Sequence, residues 1–469
     1  MNTIWEPSIE GRGGPKYKAV VEAIREAVSD GDLEVGAKLP PVRELAWQLS
    51  ITPGTVARAY TILTDDGVLE AAVGRGTFVA AQDHAAPISV PVSRPDIEAS
   101  EETEGPVRLY GASVPDVGQV ALIRELMVSI GQNGGVAGLL DYPDRDTKLP
   151  LREAAIRWMA GSHLGPLDPG DVVISNGGQN ALVLTLQACL RGDAPVILVE
   201  ELFYPGFRRA AELVRAQVIP VPMDGFGIVP EALEELALKH GAQALMTSPE
   251  VHNPTTLCTP PWRRQEIADV ARRTGLQLVE DDCYRMGPGQ GLPYRAMLPE
   301  QSWYISSLSK LLTPSLRVGF AVAPRGRGAR LRRMAEYNYF GLAAPMVELV
   351  VGIMTWPGLP DLTSEVRRVI NQYSRVALNV LGGYQISWRE DVPFLWLRLP
   401  AGWRAGAFCQ AAEARGVQVR SAEEFVVREG RAPHAIRISM NARIGMERFE
   451  RALVTLRELL DNPPENISF

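Results

Sequence analysis

The sequence predicts two folds in one chain: a mostly helical N-terminal module closed by a β-hairpin, then a larger α/β domain on a mainly parallel sheet. Two observations carry this reading. Residues 16–80 hold three amphipathic, helix-length stretches and then two short strand-like runs around Gly74-Arg75-Gly76. From Val107 onward, apolar β-rich runs (VVISN, VILVE, ALMTSPE, LQLVEDD) alternate with helical stretches (ALVLTLQACL, PWRRQEIADVARR), the rhythm of strand–helix–strand units. Between them, residues 81–106 carry four prolines and a cluster of acids with no apolar period, the composition of a solvated linker. The expected division is therefore 1–80, 81–106 and 107–469.

Bulk properties narrow the function classes. A chain of 469 residues exceeds one ordinary core, in keeping with this division. A composition 46% hydrophobic and 22% charged is that of a soluble globular protein, and no apolar run is long enough to span a bilayer. The N-terminal MNTIWEPSIEGRGG lacks the apolar stretch of a secretory signal. Cys189, Cys258, Cys283 and Cys409 lie far apart without a CxxC pair, and the five histidines are scattered. The expectation is a reduced, cytoplasmic protein with no metal site. A net charge of −7 argues against a surface coated for nucleic acid, so any DNA contact must come from a local patch.

Such a patch exists near the N-terminus. KYKAVVEAIREAVS sets Val20 or Val21, Ile24, Ala27 and Val28 on one helical face. PPVRELAWQLS reads as a short second helix with Pro41 near its first turn. ITPGTVARAYTILTDDG begins with Thr52 as N-cap and turns Val56, Tyr60 and Leu63 inward, leaving Thr55 and Arg58 outward. LEAAVGRGTFVA forms the hairpin, with Arg75 at its tip. Three helices and a basic-tipped hairpin make a winged helix-turn-helix, whose third helix enters the major groove while the wing tracks the backbone. Arg43, Thr52, Thr55, Arg58 and Arg75 are the candidate DNA contacts, and from Lys38 to Tyr60 three bases face one acid. A three-helix module serving only protein contacts is the alternative.

The elements LPxxRxLA, TVxxAYxxL and GxGTFV, in this order within GAKLPPVRELAWQLSITPGTVARAYTILTDDGVLEAAVGRGTFV, closely resemble the GntR family of bacterial winged-helix repressors. The resemblance implies that Arg43 and Arg58 contact phosphate or bases and that Gly76 lets the wing approach the duplex.

In the larger domain the informative stretch is SSLSKLLTPSLRVGF, which places Lys310 among small hydroxyl residues with Arg317 seven residues on. A lysine amine whose pKa is depressed by its surroundings forms a Schiff base with an aldehyde. The aldehyde with a phosphate to anchor is pyridoxal 5′-phosphate, and a dianionic phosphate requires hydroxyls, an arginine and backbone N–H groups. Ser307, Ser309 and Arg317 supply the first two. ISNGGQNALVLTLQA supplies the third: a strand, a Gly177-Gly178 turn, then a helix N-terminus. A carboxylate must keep the pyridine nitrogen protonated, and Asp281 ends an apolar strand in LQLVEDDCYRMG. Tyr284 and Asn253 can reach the ring hydroxyl, and Tyr204 in EELFYPGF can stack on the ring. Each residue alone has an ordinary structural role; the ordered set does not.

That order resembles the fold-type I aminotransferases of the aspartate aminotransferase group, over nearly all of 107–469. The resemblance implies an α/β fold with a smaller α+β C-terminal subdomain, and Lys310 as the internal aldimine lysine. It implies Asp281 on the pyridine nitrogen, Asn253 and Tyr284 at the ring hydroxyl, and Ser307, Arg317 and the Gly177-Gly178 turn on phosphate. Tyr142 in LLDYPDRD is similar to the tyrosine that reaches the neighbouring subunit's phosphate. Arg437 in AIRISMN is similar to the arginine that grips an α-carboxylate. Two departures stand out: Thr256 replaces glycine in an NPTG-like turn, and YPDRDTKLPLRE lacks an expected glycine. Both are expected at the pocket rim.

A GntR-type reader linked to an aminotransferase-like domain resembles the MocR subfamily of transcriptional regulators across essentially the whole chain. The resemblance implies a head-to-tail homodimer that binds promoter DNA. It would hold pyridoxal phosphate and sense an amino acid or amine as an external aldimine releases Lys310. The other expectation is a working aminotransferase whose N-terminal module is incidental.

Overall fold

The computed structural model describes residues 9, 15–34, 36–66, 68–72, 76–80, 105–133, 140, 145–428 and 430–463. The chain divides into two compact units, the first drawn almost entirely from Met1–Ala86 and the second from Pro87 onward. Most of the proline-rich segment 81–106 lies outside the described residues, as do Gly74 and Arg75.

In the first unit, helices α1 (Lys16–Ser29), α2 (Val42–Gln48) and α3 (Pro53–Asp65) precede strands β1 (Leu69–Ala72) and β2 (Gly76–Val79). Val20, Ile24, Leu45, Val56, Tyr60 and Leu63 meet in one core, as the helical period requires. The strands pair antiparallel, with Leu69 opposite Val79 and Ala72 opposite Gly76. The Tyr60 hydroxyl donates to the Pro40 carbonyl at 2.7 Å and fastens α3 to the segment entering α2. Two local details differ from the expectation. Pro41 stands just outside α2, at its N-cap. Thr52 occupies the N-cap of α3 without capping it through its side chain: the Thr55 N–H is taken by the Thr52 carbonyl at 3.0 Å, and the two threonine hydroxyls pair at 2.9 Å. Gly76 adopts φ +122°, and a Cβ there would fall 2.8 Å from Cε of Lys38.

The second unit is built on a seven-stranded sheet. In chain order its elements are β3 (Val172–Ser175), α4 (Gly178–Cys189), β4 (Val196–Glu200), α5 (Pro205–Leu213), β5 (Gln217–Val221), β6 (Ala244–Thr247), α6 (Pro261–Thr274), β7 (Gln277–Asp281), β8 (Ser302–Ser307) and β9 (Gly319–Val322). The spatial order is β3-β9-β8-β7-β6-β4-β5, and β9 runs antiparallel to both neighbours while the remaining pairs are parallel. Residues of β3, β6 and β8 are buried throughout, because both sheet faces are covered. That is why these strands read as continuous apolar runs. A smaller antiparallel sheet comes next, ordered β10 (Ile386–Ser387), β11 (Phe394–Arg398), β13 (Ala435–Ser439), β12 (Arg420–Ser421). Helices α7 (Leu359–Leu381) and α8 (Met446–Asp461) share its core through Val366, Leu378, Leu395, Ile438 and Leu453.

One buried ion pair fixes the loop between β6 and α6. Arg264 on α6 is 1% exposed and donates to the Glu250 carboxylate at 2.8 Å and to the Thr259 carbonyl at 2.8 Å. Removing one partner of such a pair strands the other charge in the interior. Glu250→Leu is expected to lower stability by about 3 kcal/mol or more, read as a fall in the urea midpoint.

Candidate cofactor site

The C-terminal ends of β3, β7 and β8 bring the predicted residues together. Gly177 sits at φ +79°, between β3 and α4, a conformation that disfavours any side chain. The Arg317 guanidinium lies against it, so close that a Cβ on Gly177 would fall 2.5 Å from Nη2. Cys283 closes on the next residue: a Cβ on Gly178 would fall 2.6 Å from its Sγ. Behind the turn, a Cβ on Gly319 of β9 would fall 2.6 Å from the carbonyl carbon of Gly177. Three glycines thus let an arginine, a thiol and a neighbouring strand approach a helix N-terminus, the geometry of an anion cradle. Ser307 ends β8; its hydroxyl donates to the Val318 carbonyl at 3.1 Å, lies 2.9 Å from the Ser309 hydroxyl and accepts the Ser309 N–H at 3.2 Å.

Asp281 ends β7 and is 9% exposed, with Oδ1 accepting the Cys283 N–H at 3.1 Å. Burial raises its carboxyl pKa, opposed by the Cys283 hydrogen bonds and by the charge of Lys310. The Lys310 Nζ lies 4.6 Å from the centroid of the Tyr284 ring. Burial alone would raise the Tyr284 phenol, but the charges of Lys310 and Arg437 outweigh it and hold the group below the ordinary tyrosine value. Asn253 is buried, its Oδ1 accepting from Arg437 Nη1 at 2.6 Å. Asn253 Nδ2 has no partner among the described residues. Tyr204 stands at the N-cap of α5, and its hydroxyl donates to Gln179 Oε1 at 3.3 Å; burial, then the charges of Tyr284 and Asp281, raise its pKa.

Arg437 on β13 is 4% exposed, between the rings of Phe394 and Phe425 at 5.1 and 5.2 Å. Its Nη2 donates to the Tyr110 carbonyl at 2.8 Å, and burial lowers its pKa. Gly177, Gly178, Asn253, Asp281, Tyr284, Ser307, Ser309, Lys310, Arg317 and Arg437 all come from the second unit, linked by these contacts. Tyr142 lies outside the described residues. The candidate DNA contacts sit in the first unit: Arg43, Thr52 and Arg58 are exposed and Thr55 half-buried, while Arg75 is not described. The Arg58 guanidinium rests over the Tyr17 ring at 4.1 Å.

Sequence reasoning misses Cys283, Tyr110, Phe394 and Phe425. Cys283 carries a signal, since it stands between Asp281 and Tyr284; Tyr110 gives no local sign of its contact with a residue 327 positions away. Thr256 also differs from the reading of a rim change. It is buried at φ +66°, its N–H donating to the His252 carbonyl at 2.8 Å, so a threonine holds a conformation that favours glycine.

Behind the site, Glu200 Oε1 accepts from the Thr247 hydroxyl at 2.5 Å and the Ser248 N–H at 3.0 Å. Burial pushes Glu200 up to about 8 and neighbouring His252 down to about 4. Burial thus favours the uncharged form of both groups across their 3.6 Å approach.

The glycine turn, the lysine loop and the acid at a strand end define the fold-type I aminotransferase architecture. Residues 115–456 match the family of class I and II aminotransferases. Residues 16–79 match the bacterial regulatory proteins of the gntR family. The chain belongs to the aminotransferase class I and II family, with a gntR-type module at its N-terminal end. It is 30% identical to YdeF, an HTH-type transcriptional regulator of Bacillus subtilis, over 98% of this chain and 97% of that one. It is 29% identical to PdxR, the HTH-type pyridoxine biosynthesis transcriptional regulator of Corynebacterium glutamicum, over 77% and 78% of the two chains. The fold matches that of the Pyrococcus horikoshii kynurenine aminotransferase with a TM-score of 0.67 at 22% identity, covering 80% of this chain and 96% of that one. Both halves of the MocR arrangement are thus present. No helix among the described residues is long and apolar enough to cross a membrane.

The packing of the site sets two expected outcomes. Gly319→Ala drives a Cβ into the Gly177 backbone, which no side-chain rotation relieves, and should cost about 1–3 kcal/mol in thermal unfolding. Glu200 binds its proton more tightly folded than unfolded, so the stability it contributes is full below about pH 4.5 and is lost as pH rises through about 8. Glu200→Gln should therefore flatten the fall in melting temperature over that range.

Proposed function

We propose that this protein is a transcriptional regulator that holds pyridoxal phosphate at Lys310 and changes its grip on operator DNA when an amino acid or amine occupies the same pocket. The observation that carries the reading is a glycine turn approached by Arg317 and Cys283, with Lys310 over the Tyr284 ring close by in the chain's fold, in a protein that also carries a gntR-type module.

The residues fit the group. The α4 N-terminus, Arg317 and the Ser307 and Ser309 hydroxyls would hold the phosphate, and Asp281 would face the pyridine nitrogen. The unpartnered Asn253 Nδ2 and the acidified Tyr284 phenol would meet the ring hydroxyl, with Tyr204 against the ring face. Pyridoxal phosphate supplies an aldehyde at which a lysine amine can be exchanged for the amine of an incoming compound. Arg437 would take that compound's carboxylate, a bidentate task suited to guanidinium. In a head-to-tail dimer, Tyr142 would reach the neighbouring subunit's phosphate.

Regulation then rests on linkage: the ligand alters DNA binding only by the difference in its affinity for the two arrangements of the protein. The intact set of Lys310, Asp281 and Arg437 also favours a second reading, a working aminotransferase. Sustained transamination of amino and keto acids with no operator affinity would support it instead.

Protein purified from cells supplied with vitamin B6 should absorb near the visible edge, and borohydride should fix the cofactor to Lys310, as read by mass spectrometry. Lys310→Ala should lose the adduct and the effector's influence on a gel shift while still binding operator. A colourless preparation without adduct would sink the proposal. Arg58→Ala should weaken operator binding and reduce the salt slope by about one.

A further inference from the structure

Arg420 and Arg437 face each other across the β12–β13 pair. Directly opposed residues of an antiparallel pair project on the same sheet face, and like charges so placed destabilise it. The chain nevertheless builds this pairing and steers both guanidiniums to one point. Arg420 Nε donates to the Tyr110 carbonyl at 2.9 Å, the same oxygen that Arg437 Nη2 reaches at 2.8 Å. The Arg420 guanidinium also lies 5.8 Å from the Tyr110 ring. Its Nη1 pairs with the Glu424 carboxylate four residues on, and its side chain is 29% exposed.

Two donors are left over. Arg420 Nη2 has no hydrogen-bond partner among the described residues, nor has the buried Nε of Arg437. After burial, the charge of Arg420 is among the influences that depress Arg437, and it helps lower the Tyr284 phenol. Arg420 is therefore electrostatically part of the pocket around Lys310. Glu424 is 43% exposed, so its pairing with Arg420 is solvent-screened and weak enough to exchange. A guanidinium with a free edge, beside another reserved for a carboxylate, matches a ligand with a second anion.

We propose that Arg420 and Arg437 form a two-arginine subsite that selects an amino acid bearing a second anionic group on its side chain. Arg437 takes one carboxylate; Arg420 takes the other through Nη2, with Glu424 holding it in place until the ligand arrives. The inference rests on the reading of this pocket as an amino-acid site and deepens it by naming the ligand class.

The test uses the full-length protein with its cofactor. L-Aspartate, L-glutamate and L-2-aminoadipate are titrated beside L-asparagine and L-glutamine, monitoring cofactor absorbance and binding heat. At least one acid should bind about tenfold or more tighter than the neutral amides, the range of a charge-assisted contact. Arg420→Gln should abolish that preference, so that acids and amides measured in the same variant bind alike. Glu424→Gln, which keeps Arg420 and removes its competitor, should strengthen binding of the acid alone. Acids and amides binding alike, or a preference unchanged in both variants, overturns the subsite and leaves the amino-acid site standing. If no amino acid perturbs the cofactor or releases heat, the site reading falls and the subsite falls with it.

Discussion

Positive charge is gathered in one place by a chain whose net charge is −7. Lys310, Arg437 and Arg420 all act on the Tyr284 phenol, with Asp281 facing the charge of Lys310 and Glu424 paired to Arg420, while Arg317 lies against the Gly177 turn. Two like charges 4 Å apart repel by about 4 kcal/mol at an effective permittivity near 20. A fold keeps such a group together only where anions offset it. The glycine turn, the serine hydroxyls and the free guanidinium edges all become intelligible as parts of a surface shaped for negatively charged ligands. The two anions of the proposed occupants, a phosphate and a carboxylate, would lie at opposite ends of that set.

The fold divides the task between two sheets. The proposed phosphate end rests on strands β3, β8 and β9, where three glycines let backbone, arginine and thiol close on one turn. The Gly319 contact is backbone on backbone, so no side-chain rotation can relieve an added Cβ there. The proposed carboxylate end rests on β12 and β13 of the smaller sheet, where the Arg420 and Arg437 guanidiniums meet the Tyr110 carbonyl. The Asn253–Arg437 bond at 2.6 Å and the Tyr284–Phe394 ring contact at 5.1 Å join the two.

Legibility from sequence tracks locality. The buried strands are readable because a sheet covered on both faces demands unbroken apolar runs, and the turn is readable because paired glycines before a helix have few uses. Lys310, Ser307, Ser309 and Arg317 can be grouped because they lie on one short segment. Tyr110 and Arg420 cannot: their contact spans 310 residues, and nothing in either neighbourhood marks it. Thr52 shows a subtler limit, since its cap position is legible while the competing backbone bond to Thr55 is not. Thr256 is visible as a departure, but only the backbone reveals that the turn keeps φ +66° despite the substitution.

The internal bonds of Arg437 and Arg420 bear on how the proposed pocket would couple ligand binding to the arrangement of the chain. Here Arg437 is already committed to the Asn253 amide and the Tyr110 carbonyl, and Arg420 to Tyr110 and Glu424. A ligand carboxylate must displace or share these bonds. Doing so changes the ties between the Asn253 loop, the segment at Tyr110 and the smaller sheet. Each displaced bond lowers ligand affinity, yet each also makes binding depend on how those elements are arranged. That dependence would be the free-energy difference a sensor requires.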